Sequence, residues 1–125
     1  MRYELHLTNF SDSSASITDV VIVDETTDKP LARIDGAELL HAVEIVGARN
    51  PTRRDALVES GRRAIVYLDF EPRAAPSGTL RHDLFFDILA TSRAHHSKVV
   101  IRGSRVDKRP AAVFGPPLRG AGFKI

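Results

Sequence analysis

The chain is 125 residues long, 42% hydrophobic and 27% charged, a composition that suits one soluble globular domain with a single core and leaves little room for a second. It contains no cysteine, which excludes disulfides, thiolate zinc sites, iron–sulfur clusters and a cysteine nucleophile. A formal net charge of +2 is too balanced to argue for nucleic acid by itself, and no apolar run reaches the ~18 residues of a membrane-spanning helix.

Met1 leads directly into Arg2-Tyr3-Glu4-Leu5-His6-Leu7, the alternation of a strand rather than the basic start and continuous apolar stretch of a signal peptide. If the parent protein is exported, its targeting segment is expected to have been removed. The polar cluster from Ser11 to Ser16 forces a turn. Ile17 to Val23 then holds the β-branched run Val20-Val21-Ile22-Val23, expected where both faces of a strand are covered. Asp24 to Pro30 reads as a turn and Leu31 to Ile34 as a short strand. The segment Asp35-Gly36-Ala37-Glu38-Leu39-Leu40-His41 predicts one short helical turn with Asp35 as its N-cap, ending before Gly47.

From Gly47 to Gly61 no period is visible, and the stretch reads as a long connection with a helical turn at Asp55-Ala56-Leu57-Val58. The period of two returns from Arg63 to Glu71, with Ala64, Val66, Leu68 and Phe70 on one face and Tyr67, Asp69 and Glu71 on the other. It continues with Leu80, Leu84, Phe86 and Ile88 opposite Arg81, Asp83 and Asp87. Pro72, Pro76 and Gly78 punctuate the connection, so these two segments are expected to pair as an antiparallel hairpin in the middle of the fold. Ala90 to Ser97 reads as a loop, and Val99-Val100-Ile101 opens a strand that reaches Val106. Six to eight short strands with regular turns predict an all-β, antiparallel immunoglobulin-like β-sandwich over residues 1–114, followed by a Pro/Gly-rich exit segment or linker at 115–125.

Charge is unevenly distributed. Residues 1–47 hold nine carboxylates against three Arg and Lys, whereas residues 48–125 hold seven against fifteen. Either neighbouring strands attract each other or one basic face is set aside for binding. Arg53-Arg54, Arg62-Arg63 and the stretch from Arg102 to Arg109 supply basic charge, but no aromatic is interleaved with them, so nucleic acid is not the expected partner.

Chemistry is sparse. His95 and His96 are adjacent in an expected turn, where consecutive side chains diverge, and no histidine pair has the spacing of a zinc ligand set. His82 falls on the apolar face of its strand and reads as a core-edge histidine bonded to a backbone carbonyl; His6 and His41 show no partner. The serines at 11, 13, 14 and 16 lack the Gly-x-Ser-x-Gly elbow of a nucleophile, and phosphate-loop and dinucleotide fingerprints are absent. Asp69 and Asp83, which a hairpin would bring close, read as exposed sheet residues near Arg81 rather than an acid–base couple. Asn9-Phe10-Ser11 matches a glycosylation acceptor, a short match that arises often by chance. The residues therefore predict a protein that is not an enzyme and has no cofactor or metal.

Several phrases occur together in order: Tyr3-Glu4-Leu5-His6-Leu7-Thr8-Asn9-Phe10, Gly36-Ala37-Glu38-Leu39, Gly61-Arg62-Arg63-Ala64-Ile65-Val66-Tyr67-Leu68, Leu80-Arg81-His82 and Gly115-Pro116-Pro117-Leu118-Arg119-Gly120. The set resembles the N-terminal accessory region of bacterial proteins that continue into a lysostaphin-type zinc metallopeptidase domain. The resemblance implies a non-catalytic, extracytoplasmic domain that positions or restrains a downstream peptidase-like domain or binds a cell-wall or protein partner. None of that family's zinc ligands has a counterpart here, so no catalytic residue is carried over. The alternative is a self-contained β-sandwich interaction domain associating through an unpaired strand edge. For a partner, the expected contact face is the outer strand surface of Tyr67, Phe85 and Leu89, rimmed by Arg63, Arg81 and Asp83. Phe85 and Leu89 lie opposite an apolar inner face, and are either covered by the chain's own loops or part of that contact.

Overall fold

A computed structural model describes residues 1–47, 55–89 and 94–106. In chain order the elements are β1 (Arg2–Thr8), β2 (Ser14–Asp24), β3 (Lys29–Asp35), α1 (Gly36–Ala42), β4 (Val43–Ile45), β5 (Leu57–Val58), β6 (Arg63–Asp69), β7 (Thr79–Leu89) and β8 (Ala94–Arg105). They form two antiparallel sheets, one ordered β1-β6-β4 and the other β3-β2-β7-β8, with β5 pairing the start of β2 beside β3. The fold is therefore all-β, with one short helix, as the period of two predicts. Among the described residues no helix is long and apolar enough to cross a membrane.

Alternation in each strand supplies one apolar face, and the two sheets bury these faces against each other. Leu5, Ala64, Val66 and Leu68 come from the smaller sheet; Ile17, Val20, Ile22, Leu31, Ile34, Val58, Leu80 and Leu84 come from the larger. Leu39 adds the buried face of α1 to the same cluster. Each fully buried Leu or Ile contributes on the order of 1.5–3 kcal/mol relative to exposure.

The central segments do not pair with each other. β6 lies between β1 and β4, whereas β7 lies between β2 and β8 in the other sheet. Their apolar faces meet across the core instead of lying side by side, an arrangement that satisfies the same alternation. Pro72 and Pro76 belong to a crossing between sheets, which is anchored where the Arg73 N–H donates to the Leu31 carbonyl. Asp69 and Asp83 are consequently in different sheets, and each is bonded to an arginine: Asp69 to Arg2, Asp83 to Arg81; Asp83, expected to be exposed, is buried at 6% exposure beneath the Arg81 and Lys98 side chains that it bonds.

Other boundaries differ for similar reasons. Leu57 and Val58 are strand β5 rather than a helical turn, because Ala15 and Ser16 of β2 offer a free ladder there. The strand expected from Val99 begins at Ala94, where pairing with Leu89 of β7 outweighs the polar composition of His95-His96-Ser97. Asp35 stands at the N-cap of α1 but its side chain makes no capping bond; it accepts from Arg33 instead. Gly36 enters the helix at φ +53°, a left-handed geometry that glycine adopts readily. The run from Val20 to Val23 covers both faces of central β2: Val20 and Ile22 face the core, while Val23 is buried opposite Arg81. Arg53-Arg54 and the 114/115 boundary with its exit segment lie outside the described residues.

The halves of the chain attract each other at specific points, since Arg81 bonds Asp28 at 2.6 Å and Arg102 lies 3.6 Å from Glu25. Beside them, Asp24 is only 2% exposed and organises the end of the sandwich. Its carboxylate accepts from the Thr26 and Thr27 N–H groups in its own turn, and from the N–H and hydroxyl of Ser77 at 2.7 and 2.6 Å. The Ser77 hydroxyl, then its N–H, pull the Asp24 carboxyl down to about 2 against the opposing effect of burial. A folded-state value below the ordinary carboxylate value of about 4 stabilises the fold above that pH, and the contribution is lost as pH falls toward the folded value. The urea midpoint is therefore expected to fall on acidification through this window, and Ser77→Ala should make the fall shallower; identical profiles for the two proteins would contradict the assignment.

Candidate interaction surfaces

His82 is 0% exposed and lies at the middle of the larger sheet's inner face. Its Nε2 shares a 2.6 Å hydrogen bond with the hydroxyl of Tyr3, which reaches across from β1; the rings meet edge to face at 5.5 Å. The expected backbone carbonyl is thus replaced by a side chain from the opposite sheet. Burial lowers the His82 imidazole below its ordinary range, opposed by the charge of Asp83, and burial raises the Tyr3 hydroxyl well above its own. Both groups are therefore neutral at pH 7. Nδ1 of His82 is buried without a partner. This pair bridges the sheets.

Other candidates for chemistry are also occupied. The Tyr67 hydroxyl donates to Glu44 at 2.6 Å, and this bond pushes the phenol up. Tyr67 lines a shallow cleft of about 230 Å³ with Ile34, Glu38, His41, Ala42 and Asp69, where α1 crosses the smaller sheet. His95 and His96 stand in strand β8 rather than in a turn, so they point to opposite faces, and His96 pairs with Asp87. His6 pairs with Glu4. Among the described residues no group of three or more His, Asp or Glu side chains is placed to hold a metal ion.

The six expected contact residues divide between opposite outer surfaces. Arg63 and Tyr67 share the outer face of the smaller sheet, while Arg81, Asp83, Phe85 and Leu89 share that of the larger one. On the latter, Arg81 donates to Asp83 and Asp28, and Lys98 reaches Asp83 while its ammonium lies 5.7 Å from the centre of the Phe85 ring. Phe85 is half-buried, with the neighbouring strand's lysine over its ring. Leu89 remains 44% exposed at the end of β7.

A more exposed residue sits at that same end of the sandwich. Phe10, in the connection between β1 and β2, is 92% exposed. Its flanks are tied down. Asn9 Nδ2 donates to the carbonyls of Ser13 and Val58 at 2.7 and 2.9 Å, while Asn9 Oδ1 accepts from the N–H and the hydroxyl of Ser11. The Ser60 hydroxyl donates to the Ser11 carbonyl, and the Gly61 N–H donates to that of Asn9. These bonds fix the backbone on both sides of Phe10, whose ring projects from the surface. Asn9 is thus a loop brace whose side-chain amide is engaged by two carbonyls. In the sequence Phe10 stood between the alternation of β1 and the Ser11–Ser16 turn with no contact role assigned to it; the signal was an aromatic residue between two turn-forming polar ones.

No protein-family model, curated protein or solved structure matches the chain. The reading of its surfaces therefore rests on the geometry above. In that geometry the Tyr3–His82 bond is a stabilising link between sheets. Tyr3→Phe is expected to cost about 1–3 kcal/mol in urea unfolding, by leaving a buried imidazole without its partner. The double variant Tyr3→Phe/His82→Leu should recover much of that loss, because both polar groups are then removed. Because folding lowers the His82 value below the ~6.5 of an unfolded histidine, the unfolded chain holds more protons below that pH, and stability falls as pH drops through the interval. The double variant should show a smaller fall there; an unchanged slope would remove His82 as its source.

Proposed function

We infer that the chain is a non-catalytic binding domain whose principal contact is the loop end of the sandwich, with Phe10 as its apolar anchor and Leu89 beside it. The single observation that carries this reading is a phenyl ring held 92% exposed by hydrogen bonds on both of its flanks. Preorganisation of this kind lowers the entropy lost on binding, and aromatic anchors supply much of the energy of a contact. Loops clustered at one end of an immunoglobulin-like sandwich are suited to such use.

The resemblance in sequence to the accessory region of lysostaphin-type metallopeptidase proteins supports an extracytoplasmic setting, with the cell wall or a downstream peptidase-like domain as partner. The edge of β8, unpaired among the described residues, favours a second reading, a self-contained domain that binds protein strands. Purified peptidoglycan separates them. In the first reading the chain is retained on it at both low and high salt, and Phe10→Ser reduces retention by roughly tenfold or more while the thermal midpoint stays unchanged. Equal retention of the variant would overturn the role of Phe10, and no retention of the parent chain would remove the wall as partner.

A further inference from the structure

We propose that the free edge of β8 receives an acidic, extended peptide segment as an additional strand of the larger sheet. This deepens the second reading, the binding of protein strands, and does not depend on Phe10. β8 runs for 12 residues and is the terminal strand of its sheet among the described residues. One side pairs with β7 in continuous register from Ala94 to Ile101 and, after a bulge at Arg102 and Gly103, again at Ser104 and Arg105. On the other side of the regular Ala94–Ile101 stretch, alternate residues present N–H and C=O groups outward, which is the template for strand addition.

The remaining edges are less suited. β3 carries Pro30, which has no N–H to offer, and shares its edge of β2 with β5. β1 has seven residues and β4 three, against 12 in β8. Within β8, the middle is apolar on both faces, with Val99 46% and Val100 36% exposed. Natural edges are commonly protected by a charge or a proline at such a position, and neither interrupts Val99-Val100-Ile101.

Charge selects the occupant. Lys98, Arg102 and Arg105 lie on β8 together with His95 and His96, and the strand contains no carboxylate. Asp83 and Glu25 partly balance Lys98 and Arg102 from neighbouring elements. Asp83 is shared with Arg81, and Glu25 also accepts from the Gly103 N–H, which leaves both carboxylates divided between donors. No ion pair holds Arg105 or His95 among the described residues. A second copy of β8 laid along this edge would bring cationic strands together without a carboxylate on either, and cross-strand like charges are destabilising. A segment with small apolar residues at its centre and Asp or Glu towards its ends matches the edge in both hydrogen bonding and charge.

The test uses a fluorescein-labelled octapeptide with a central run of valines and two glutamates at each end, titrated by anisotropy into the full chain at about 0.15 M salt, where exposed charges beyond roughly 8 Å are screened. Saturable binding is expected, with amide exchange slowed between residues 94 and 105. N-methylation of alternate peptide nitrogens, which keeps the charge and removes donors, should weaken binding at least tenfold. So should Lys98→Glu/Arg105→Glu, with Arg105→Ala as a milder variant and thermal unfolding as the check on folding. Undiminished binding of the N-methylated peptide, or protection confined to other strands, would overturn the proposal. Self-association that protects the same amides without peptide would show a second copy to be the occupant, and tighter binding of an oligothymidylate would show a polyanion site; either result overturns it. Absence of peptide binding beside Phe10-dependent retention on peptidoglycan defeats the edge alone, whereas absence of both defeats the binding-domain reading.

Discussion

The inner face of β6 must meet the inner faces of β2 and β7 across the core, and most other features of the fold answer to that constraint. Ala64, Val66 and Leu68 are all fully buried, as are Val20, Ile22 and His82 opposite them. A face of this kind has no stable existence alone, because a three-stranded sheet with one apolar side needs a second layer. The chain meets the requirement by switching sheets repeatedly: β1 lies in one, β2 and β3 in the other, and the elements that follow continue to alternate until the β7–β8 pair. Helix α1 serves this switching, with Leu39 in the core as the chain passes from β3 to β4.

Such crossings place polar backbone at both ends of the sandwich, where it needs partners. Two short side chains supply many of them. Asp24 gathers the N–H groups of its own turn and of Ser77 at one end, and Asn9 joins the 9–13 turn to Val58 at the other. Their effects differ in kind. Asp24 is buried and charged, so its contribution depends on pH; Asn9 is neutral, and its bracing holds Phe10 in solvent. The same type of local hydrogen bonding thus closes one end of the sandwich and equips the other for contact.

The polar groups inside the molecule serve cohesion, whereas the surface offers contact. The half-buried Tyr3 is bonded to the fully buried His82, and the two are committed to each other within the chain. The exposed large apolar side chains among the described residues are Phe10, Leu89, Val99 and Val100, together with Tyr67, whose hydroxyl is bonded to Glu44 on the outer face of the smaller sheet. Phe10 and Leu89 belong to the loop end; Val99 and Val100 belong to an edge whose strand is cationic. The two surfaces differ in what they recognise: an apolar anchor needs a pocket, and an open strand edge needs an extended backbone.

Much of the strand content is legible in the residues themselves. Alternation located β1, β6 and β7, the β-branched run located β2, and Asp35 through His41 located the single helix, because side-chain period and local propensity act within a few residues. The same local signals could not say which strands pair. Alternation in β6 and β7 is equally compatible with a hairpin and with two sheets facing each other, and the resulting difference divided Tyr67 and Arg63 from Phe85, Leu89, Arg81 and Asp83. Strand β5 and the first residues of β8 arise from pairing with distant partners, despite weak patterns of their own. Composition by itself determined the absence of thiol chemistry, and the period of two in the residue order determined the presence of amphipathic strands. Only tertiary structure decided that His82 meets Tyr3, that Phe10 stays in water and that β8 is left at an edge, because each depends on contacts between residues far apart in the chain.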